Sequence, residues 1–229
     1  MANYVRFQRK NGSVGAGLLE GGNIAVINEP FWASTTKTGE TVGAGDVRLL
    51  PPTEPRSIIC VGLNYSSHLN GRAAPNPPTL FYKPLSSIAG PDDDVVLPKD
   101  AGRRNGNRSR RGGHPQEYSG LADRGQQRYR EYVFVSRARG YFGPNIATGL
   151  QYDSIELKTR VNGVDAQHGV SNELILDIPD TVRWVAAVQS LVPGDIIYTG
   201  TPGSPAALKP GDVMEIEVAG VGILRNTVV

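Results

Sequence analysis

The sequence predicts a β-rich mixed α/β fold that begins with a small N-terminal module of β-hairpins. Short apolar runs of strand length alternate with turn signals along the chain, and one segment alone has helical periodicity. The 229 residues, 39% hydrophobic and 20% charged, are enough to bury a sizeable core. A membrane helix needs about 20 consecutive apolar residues, and no apolar run in the sequence approaches that length. No membrane contact is therefore expected.

Residues 1–52 are predicted to form the hairpin module, with about four strands. Turn signals at Asn11-Gly12, Gly21-Gly22 and Thr38-Gly39 separate its short apolar pieces. The consecutive prolines Pro51-Pro52 mark a connector, because proline cannot continue a strand ladder. Residues 53–229 are therefore predicted to form a second, larger domain.

Three buried strands are predicted at the start of this second domain. The apolar segments 57–63, 79–83 and 95–97 have strand length, and prolines end the last two. Each segment is rich in the β-branched or aromatic residues that sheets favour.

The C-terminal third contains the clearest local signals. Residues 155–161 alternate before Asn162-Gly163, a strong hairpin signal. Residues 180–191 have helical spacing, with Asp180 or Thr181 as the predicted N-cap. Two Pro-Gly-Asp turns, at 193–195 and 210–212, each precede a predicted strand.

The charge of the chain is unevenly distributed. Residues 101–140 contain ten arginines and three acidic residues, a net charge of about +7. Because the whole chain carries +2, the remaining residues carry about −5. The single cysteine, Cys60, cannot form an internal disulfide and lies in an apolar run, which predicts a buried thiol and a reducing, cytoplasmic location.

Three features could carry chemistry. His68 follows a predicted buried strand and could act as a general base, although a loop histidine often only hydrogen-bonds its neighbours. Lys83 ends an apolar strand and could pair with a carboxylate substrate or extend to solvent. The segment Thr199-Gly200-Thr201 could bind a carboxylate or enolate oxygen, or could be a plain turn.

Taken in order, nine motifs resemble the fumarylacetoacetate hydrolase family, over roughly residues 1–100 and 142–229. The motifs are Val61-Gly-Leu-Asn-Tyr-Ser-Ser-His68, Leu80-Phe-Tyr-Lys-Pro84, Gly90-Pro91, Val95-Val-Leu-Pro98, Arg160-Val-Asn-Gly163, Leu176-Asp-Ile-Pro179, Pro193-Gly-Asp-Ile-Ile-Tyr-Thr-Gly-Thr-Pro202, Leu208-Lys-Pro-Gly-Asp212 and Gly222-Ile-Leu-Arg-Asn226.

The resemblance implies a mixed β-roll core, a homodimer and a Mg²⁺ or Mn²⁺ ion. It also implies an enzyme that hydrolyses, isomerises or decarboxylates acylpyruvate-like 2-oxo or 1,3-diketo acids. His68 matches the family histidine that activates water or moves a proton, and 199–201 matches the loop that binds the substrate carboxylate. Lys83 matches a family lysine with a structural or electrostatic role, and Lys83 and Tyr65 complete the substrate-binding set that the resemblance predicts.

The sequence departs from the family pattern in its metal and acid residues. The family glutamate three residues after the histidine corresponds to Gly71. The Glu-x-Glu and aspartate that hold the ion in the family have no counterpart in 101–140, and the pair Glu215 and Glu217 is interpreted as a solvated strand face. The metal ligands are therefore unknown, and a catalytically inactive relative is an alternative.

Residues 101–141 are predicted to be disordered, because they contain few apolar side chains. Their composition has two interpretations. The favoured one is an out-of-frame segment that has replaced the metal-binding strands. The other is an Arg/Gly-rich insertion that binds nucleic acid through charge and stacking, which would make the chain a binding module.

Overall fold

A computed structural model describes residues 1–28, 30–97, 140–205 and 207–229, together with the backbone at 118–120 and 134–136. The segment 101–141 therefore lies largely outside the described residues. Its described parts are three short strands, and the disorder predicted for it stays a prediction. Its reading frame and its nucleic-acid binding likewise stay predictions.

Strands dominate the described part of the chain. In chain order they are β1 (Ala2–Gln8), β2 (Val14–Glu20), β3 (Asn23–Ile27), β4 (Lys37–Gly43), β5 (Arg48–Leu50), β6 (Ile58–Gly62), β7 (Thr79–Tyr82), β8 (Ile88–Ala89), β9 (Tyr118–Gly120), β10 (Phe134–Ser136), β11 (Gly140–Tyr141), β12 (Ile146–Thr148), β13 (Glu156–Val161), β14 (Val164–Val170), β15 (Ile196–Tyr198), β16 (Val213–Val218) and β17 (Gly222–Thr227). The described α-helices are α1 (Ser66–Leu69) and α2 (Ile178–Val188), and single 3-10 turns lie at Ala44–Asp46, Leu85–Ser87 and Ser171–Glu173. The predicted β-rich fold class is confirmed.

The N-terminal strands form one sheet in the order β12-β1-β2-β3-β4, with β5 also paired to β1. Val5, Phe7, Ile24 and Val26 form its buried core. The strand β12 comes from the C-terminal part of the chain and pairs antiparallel with β1. The N-terminal strands thus share a sheet with the rest of the protein, and the domain boundary at residue 52 stays a prediction.

The central sheet has the order β15-β6-β7-β10-β9. The strands β6 and β7 confirm the predictions at 57–63 and 79–83. The segment 95–97 forms one parallel bridge, between Val95 and Val228, instead of a longer strand, and the amides of Val95 and Leu97 donate to the carbonyl oxygens of Thr227 and Val229. Val95 is 2% exposed whereas Val96 is 55% exposed, so the segment is buried on one face and not on both as predicted.

A four-stranded sheet has the order β14-β13-β16-β17, and β8 and β11 form a separate parallel pair. The predicted hairpin at Asn162-Gly163 is confirmed, with Val161 paired to Val164 and positive φ angles of 53° and 77° at the two turn residues. Both Pro-Gly-Asp turns precede strands, as predicted, since β15 and β16 follow them.

The helix α2 begins earlier than its sequence pattern indicated. Its N-cap is Asp177, whose Oδ1 accepts a hydrogen bond from the Asp180 amide at 2.7 Å. The predicted N-cap, Asp180 or Thr181, is wrong because Ile178 and Pro179 form the first turn, where proline's missing N–H costs nothing. Among the described residues, no helix has the length and apolar character needed to cross a membrane.

The Cys60 thiol is buried in the central sheet, as predicted. Its residue is 2% exposed and packs in one cluster with Ile58 and Ile196. Burial raises the pKa of the thiol to about 12, although the nearby Lys83 charge lowers it somewhat.

We therefore expect Cys60 to be unreactive in the folded protein. With a pKa of about 12, only about one thiol in ten thousand is ionised at pH 8. Reaction with a disulfide reagent at pH 8, followed by absorbance, should be about 100-fold or more slower in the native protein than in urea. Equal rates in the two conditions would contradict the buried position.

Candidate active site

The predicted histidine and the predicted carboxylate loop follow two neighbouring strands. The strands β6 and β15 pair in parallel, with Ile196 opposite Ile58 and Tyr198 opposite Cys60. Parallel strands end at the same edge of a sheet, so the segments that leave β6 and β15 emerge side by side. The structure therefore brings His68 and the 199–203 loop together at one edge.

Asn64 connects these two segments through a buried side chain that is 4% exposed. Its Nδ2 donates to the carbonyl oxygens of Thr199 at 2.7 Å and Leu176 at 2.9 Å. Its Oδ1 accepts from the Leu176 amide at 2.8 Å. Because an unpaired buried amide is costly, this set of bonds fixes the start of the 199–203 loop relative to β6.

Gly200 lets the loop approach β6 closely. Its φ is +139°, a conformation that side chains rarely adopt. A Cβ placed on Gly200 would lie 3.2 Å from both Asn64 Cβ and Tyr65 Cδ2. Glycine is required here by backbone conformation and by space together.

His68 lies on α1, half-buried, with its ring against the end of the loop. Its Nδ1 is hydrogen-bonded to the Gly203 carbonyl oxygen. A carbonyl oxygen only accepts, so Nδ1 must carry the proton, and the neutral ring has its lone pair on Nε2. The Gly203 amide in turn donates to Ser67 Oγ at 3.0 Å. The ring is thus oriented by the backbone of the loop that it faces.

Tyr65 lies at the same edge and is 5% exposed. Its backbone forms an isolated bridge with Leu174. Burial, and then the negative charge of Glu173, raise the pKa of the Tyr65 hydroxyl, which therefore stays protonated at neutral pH. The tyrosine can donate a hydrogen bond but cannot serve as a base there.

Gln167 on β14 is a site residue that the sequence analysis did not identify. Its Nε2 donates to Thr201 Oγ1 at 2.9 Å and to the Pro202 carbonyl oxygen at 2.6 Å. The partners are more than 30 residues apart in the chain, so no local pattern relates them. Strand alternation in 164–170 puts residues 167 and 169 on one face, and this alternation is the sequence signal that could have indicated that Gln167 faces the loop.

Lys83 lies at the other end of β6 from His68. Its amide donates to the Ile58 carbonyl oxygen at 3.1 Å, because β7 runs antiparallel to β6. Burial lowers the pKa of its half-buried ammonium group, an effect that the nearby Cys60 partly offsets. The backbone of Lys83 therefore lies beside the start of β6, and its ammonium group is close enough to Cys60 in the middle of that strand to affect the thiol.

The described residues do not fit the Mg²⁺ or Mn²⁺ ion that the resemblance implies. Such an ion needs several converging oxygen ligands. Within the described ranges, no three His, Cys, Asp or Glu side chains are grouped to hold one. Asp93 accepts from Arg48 at 2.6 Å and from the Gly90 amide at 2.8 Å. Glu217 accepts from Arg160 at 2.7 Å, in agreement with a solvated, paired strand face.

Clefts of about 570 and 530 Å³ lie against the N-terminal sheet, and His68 and the 199–203 loop line neither of them. The larger cleft has an aromatic wall in which Tyr4 and Phe31 stack at 4.6 Å. Its two arginines already have partners, since Arg6 pairs with Glu54 and Arg9 with Glu40. The candidate chemistry lies elsewhere, at the edge formed by β6 and β15.

Comparison with known families gives two matches. The family model described as fumarylacetoacetate (FAA) hydrolase C-terminal matches residues 57–106 and 127–229, more than half of the chain. A second model, described as Rv2993c-like, N-terminal, matches residues 3–52. The interval left unmatched, 107–126, is shorter than the 101–141 predicted from the motifs.

Individual relatives agree with these matches. Protein Rv2993c of Mycobacterium tuberculosis is 32% identical over 244 residues, which cover 89% of this chain and 86% of that protein. A 5-carboxymethyl-2-hydroxymuconate delta-isomerase from Mycobacterium smegmatis has a TM-score of 0.79 and 29% identity, and the match covers 99% of both chains. Maleylpyruvate hydrolase from Sphingobium sp. SYK-6, solved with manganese(II) and pyruvate, shares the fold with a TM-score of 0.70 and 24% identity over 99% of this chain and 98% of that one.

The geometry at Gly200 leads to a stability prediction. We expect Gly200→Ala to lower the free energy of unfolding by about 1–3 kcal/mol, because alanine adds backbone strain and a close contact with Asn64. Urea denaturation measures this loss. Gly45→Ala is the matched control, since its added Cβ meets no atom within 4 Å, and we expect a change within about 0.5 kcal/mol. Equal losses in the two variants would contradict the close approach.

Proposed function

We propose that this chain, which belongs to the fumarylacetoacetate hydrolase family, acts on acylpyruvate-like 2-oxo acids at the edge formed by β6 and β15. One observation carries the proposal: the parallel pairing of these strands places His68 in hydrogen-bond contact with the 199–203 loop. A proton-transfer group and a group of oxygen-binding donors are thereby adjacent.

His68 is proposed as the general base. With Nδ1–H held by the Gly203 carbonyl oxygen, Nε2 of the neutral ring can accept a proton. In many enzymes a carboxylate orients the catalytic histidine. In this chain the residue three positions after His68 is Gly71, which has no carboxylate. The Gly203 carbonyl oxygen is proposed to orient the His68 ring instead.

The 199–201 loop is proposed to bind the substrate carboxylate or the enolate oxygen. Hydroxyl and amide donors at a fixed loop stabilise such oxygens, because they need no reorganisation when charge develops. The Asn64 bonds and the conformation of Gly200 support a fixed loop. Tyr65 is proposed as a further donor. Lys83 is proposed to act electrostatically, and the effect of its charge on the Cys60 thiol in β6 supports this role.

In hydrolysis of an acylpyruvate, His68 Nε2 takes a proton from water as the oxygen attacks the acyl carbon. The bond between the acyl carbon and C3 then breaks, and the electron pair forms the enolate of pyruvate. His68 then returns its proton to C3 of the enolate, which gives pyruvate and a carboxylic acid and restores the neutral histidine, so one water is consumed for each bond broken.

Isomerisation is the second candidate, and a specific observation favours it. A base together with a carboxylate site is sufficient for proton removal next to a carbonyl group and its return elsewhere, and the contact between His68 and the 199–203 loop supports both proposed parts. The delta-isomerase from Mycobacterium smegmatis has the same fold. No water enters the products in this reaction, so product analysis separates it from hydrolysis.

A requirement for Mg²⁺ or Mn²⁺ stays a prediction of the resemblance. No step above uses an ion, because the described residues do not fit one. Assays with and without a chelator check this requirement separately. The homodimer and the cytoplasmic location likewise stay predictions, and light scattering in solution measures the oligomeric state.

We expect His68→Ala to lower kcat by about 10²–10⁴-fold on an acylpyruvate or on enol-oxaloacetate, because it removes the base. Loss of enol absorbance measures turnover, and a lactate dehydrogenase assay for pyruvate detects hydrolysis. His168→Ala is the matched control, since His168 is exposed on β14 and pairs with Glu156, and its kcat should be unchanged.

Two results would contradict the proposal. If the wild-type protein shows no turnover of either substrate class, the chain is an inactive relative for these reactions. If wild-type and His68→Ala proteins turn over equally, the base lies elsewhere.

A further inference from the structure

The Gln167 side chain extends from β14 to the loop that follows β15. Its amide nitrogen lies 2.6 Å from the Pro202 carbonyl oxygen and 2.9 Å from Thr201 Oγ1. These two contacts determine how the amide is oriented and what the Thr201 hydroxyl can do.

The orientation of the amide follows from the Pro202 contact. A carbonyl oxygen only accepts hydrogen bonds, so the Gln167 atom that faces it must be the nitrogen. The other end of the amide agrees, because Gln167 Oε1 accepts from Thr159 Oγ1 at 3.4 Å. The assignment therefore depends on the partners and not on the placement of two similar atoms.

The same nitrogen determines the role of the Thr201 hydroxyl. Its two hydrogens are used by the Pro202 carbonyl oxygen and by Thr201 Oγ1, which acts as the acceptor. The hydroxyl proton is not used in that bond and remains for another acceptor. A hydroxyl that accepts from an amide also becomes a stronger donor, since linked hydrogen bonds polarise one another.

A neighbouring residue on β14 holds the loop in the same register. Gly169 lies two positions after Gln167 and therefore on the same face of the strand. A Cβ placed on Gly169 would lie 2.7 Å from Pro202 Cβ, so the strand backbone is in direct contact with the proline ring. The Gln167 bonds thus act on a loop whose distance from β14 is already fixed.

We propose that Gln167 is a positioning residue that directs the Thr201 hydroxyl proton toward the substrate carboxylate. This inference rests on the proposed function of the 199–201 loop. It predicts a role in binding the carboxylate and none in the proton transfer assigned to His68. The carboxylate is bound in the ground state and in the transition state alike, so loss of the donor should change KM more than kcat.

The test is a double-mutant cycle between Gln167→Met and Thr201→Val. Methionine keeps the volume of glutamine without its donors, and valine keeps the shape of threonine without its hydroxyl. We expect Gln167→Met to raise KM for the acylpyruvate about 5- to 10-fold and Thr201→Val to raise it about 10- to 100-fold, with kcat within about 3-fold. Adding Gln167→Met to Thr201→Val should cause no further rise.

Control variants separate positioning from folding. Thr201→Ser retains the hydroxyl and should restore most of the affinity lost in Thr201→Val. Gln151→Met makes the same substitution at an exposed residue and should leave KM unchanged. Thermal unfolding checks that each protein is folded. If Gln167→Met does not fold, Gln167→Glu replaces it, because glutamate has the same shape and cannot donate to Thr201.

The outcomes distinguish this inference from the proposed function. Suppose that the wild type has turnover. If Gln167→Met leaves KM unchanged, or raises it equally with and without the Thr201 hydroxyl, the inference is overturned and the proposed function is left intact. If the wild type has no turnover, the same cycle is measured as the Kd of pyruvate by calorimetry. A loss of pyruvate affinity that depends on the Thr201 hydroxyl supports the inference alone. Absence of both turnover and pyruvate binding overturns both.

Discussion

The parallel pairing of β6 with β15 is the constraint on which the candidate site depends. These strands are far apart in the chain, yet Tyr198 lies opposite Cys60 in the sheet. Both strands therefore end at one edge, where His68 follows one and the 199–203 loop follows the other. The buried cluster around Ile58 and Ile196 stabilises this pairing through apolar contacts on one face of the sheet.

Hydrogen bonds to the backbone convert this proximity into a defined arrangement. Asn64 is buried and bonded to the carbonyl oxygens of Thr199 and Leu176. The His68 ring is bonded to the Gly203 carbonyl oxygen, although the family glutamate is absent at Gly71. Donors and a base that are fixed before substrate binds need little reorganisation during the reaction. In the candidate site, His68 and the 199–203 loop are held in place by hydrogen bonds to the backbone of that loop.

The sequence predicted features that depend on local chemistry. The Asn162-Gly163 hairpin is specified by its two turn residues, and both Pro-Gly-Asp turns precede strands. The hydrogen-bond partners of His68 and Thr201 were not predicted. The partner of His68 is a backbone carbonyl oxygen, which every residue type has, and Gln167 and Thr201 are 34 positions apart in the chain. The role of Lys83 in substrate binding stays a prediction, because the antiparallel run of β7 locates its backbone beside the start of β6. Contacts between distant segments are set by strand pairing, which a single sequence does not specify.

The tautomer of His68 tests most directly whether its ring is hydrogen-bonded to the 199–203 loop through Nδ1. In protein labelled with ¹⁵N-histidine, long-range proton–nitrogen spectra identify which ring nitrogen carries the proton at a pH where the ring is neutral. The chain has three histidines, so comparison with His68→Ala assigns the signal. The structure predicts a proton on Nδ1 and a lone pair on Nε2, because the Gly203 carbonyl oxygen only accepts. A proton on Nε2 would contradict the arrangement from which the function is proposed.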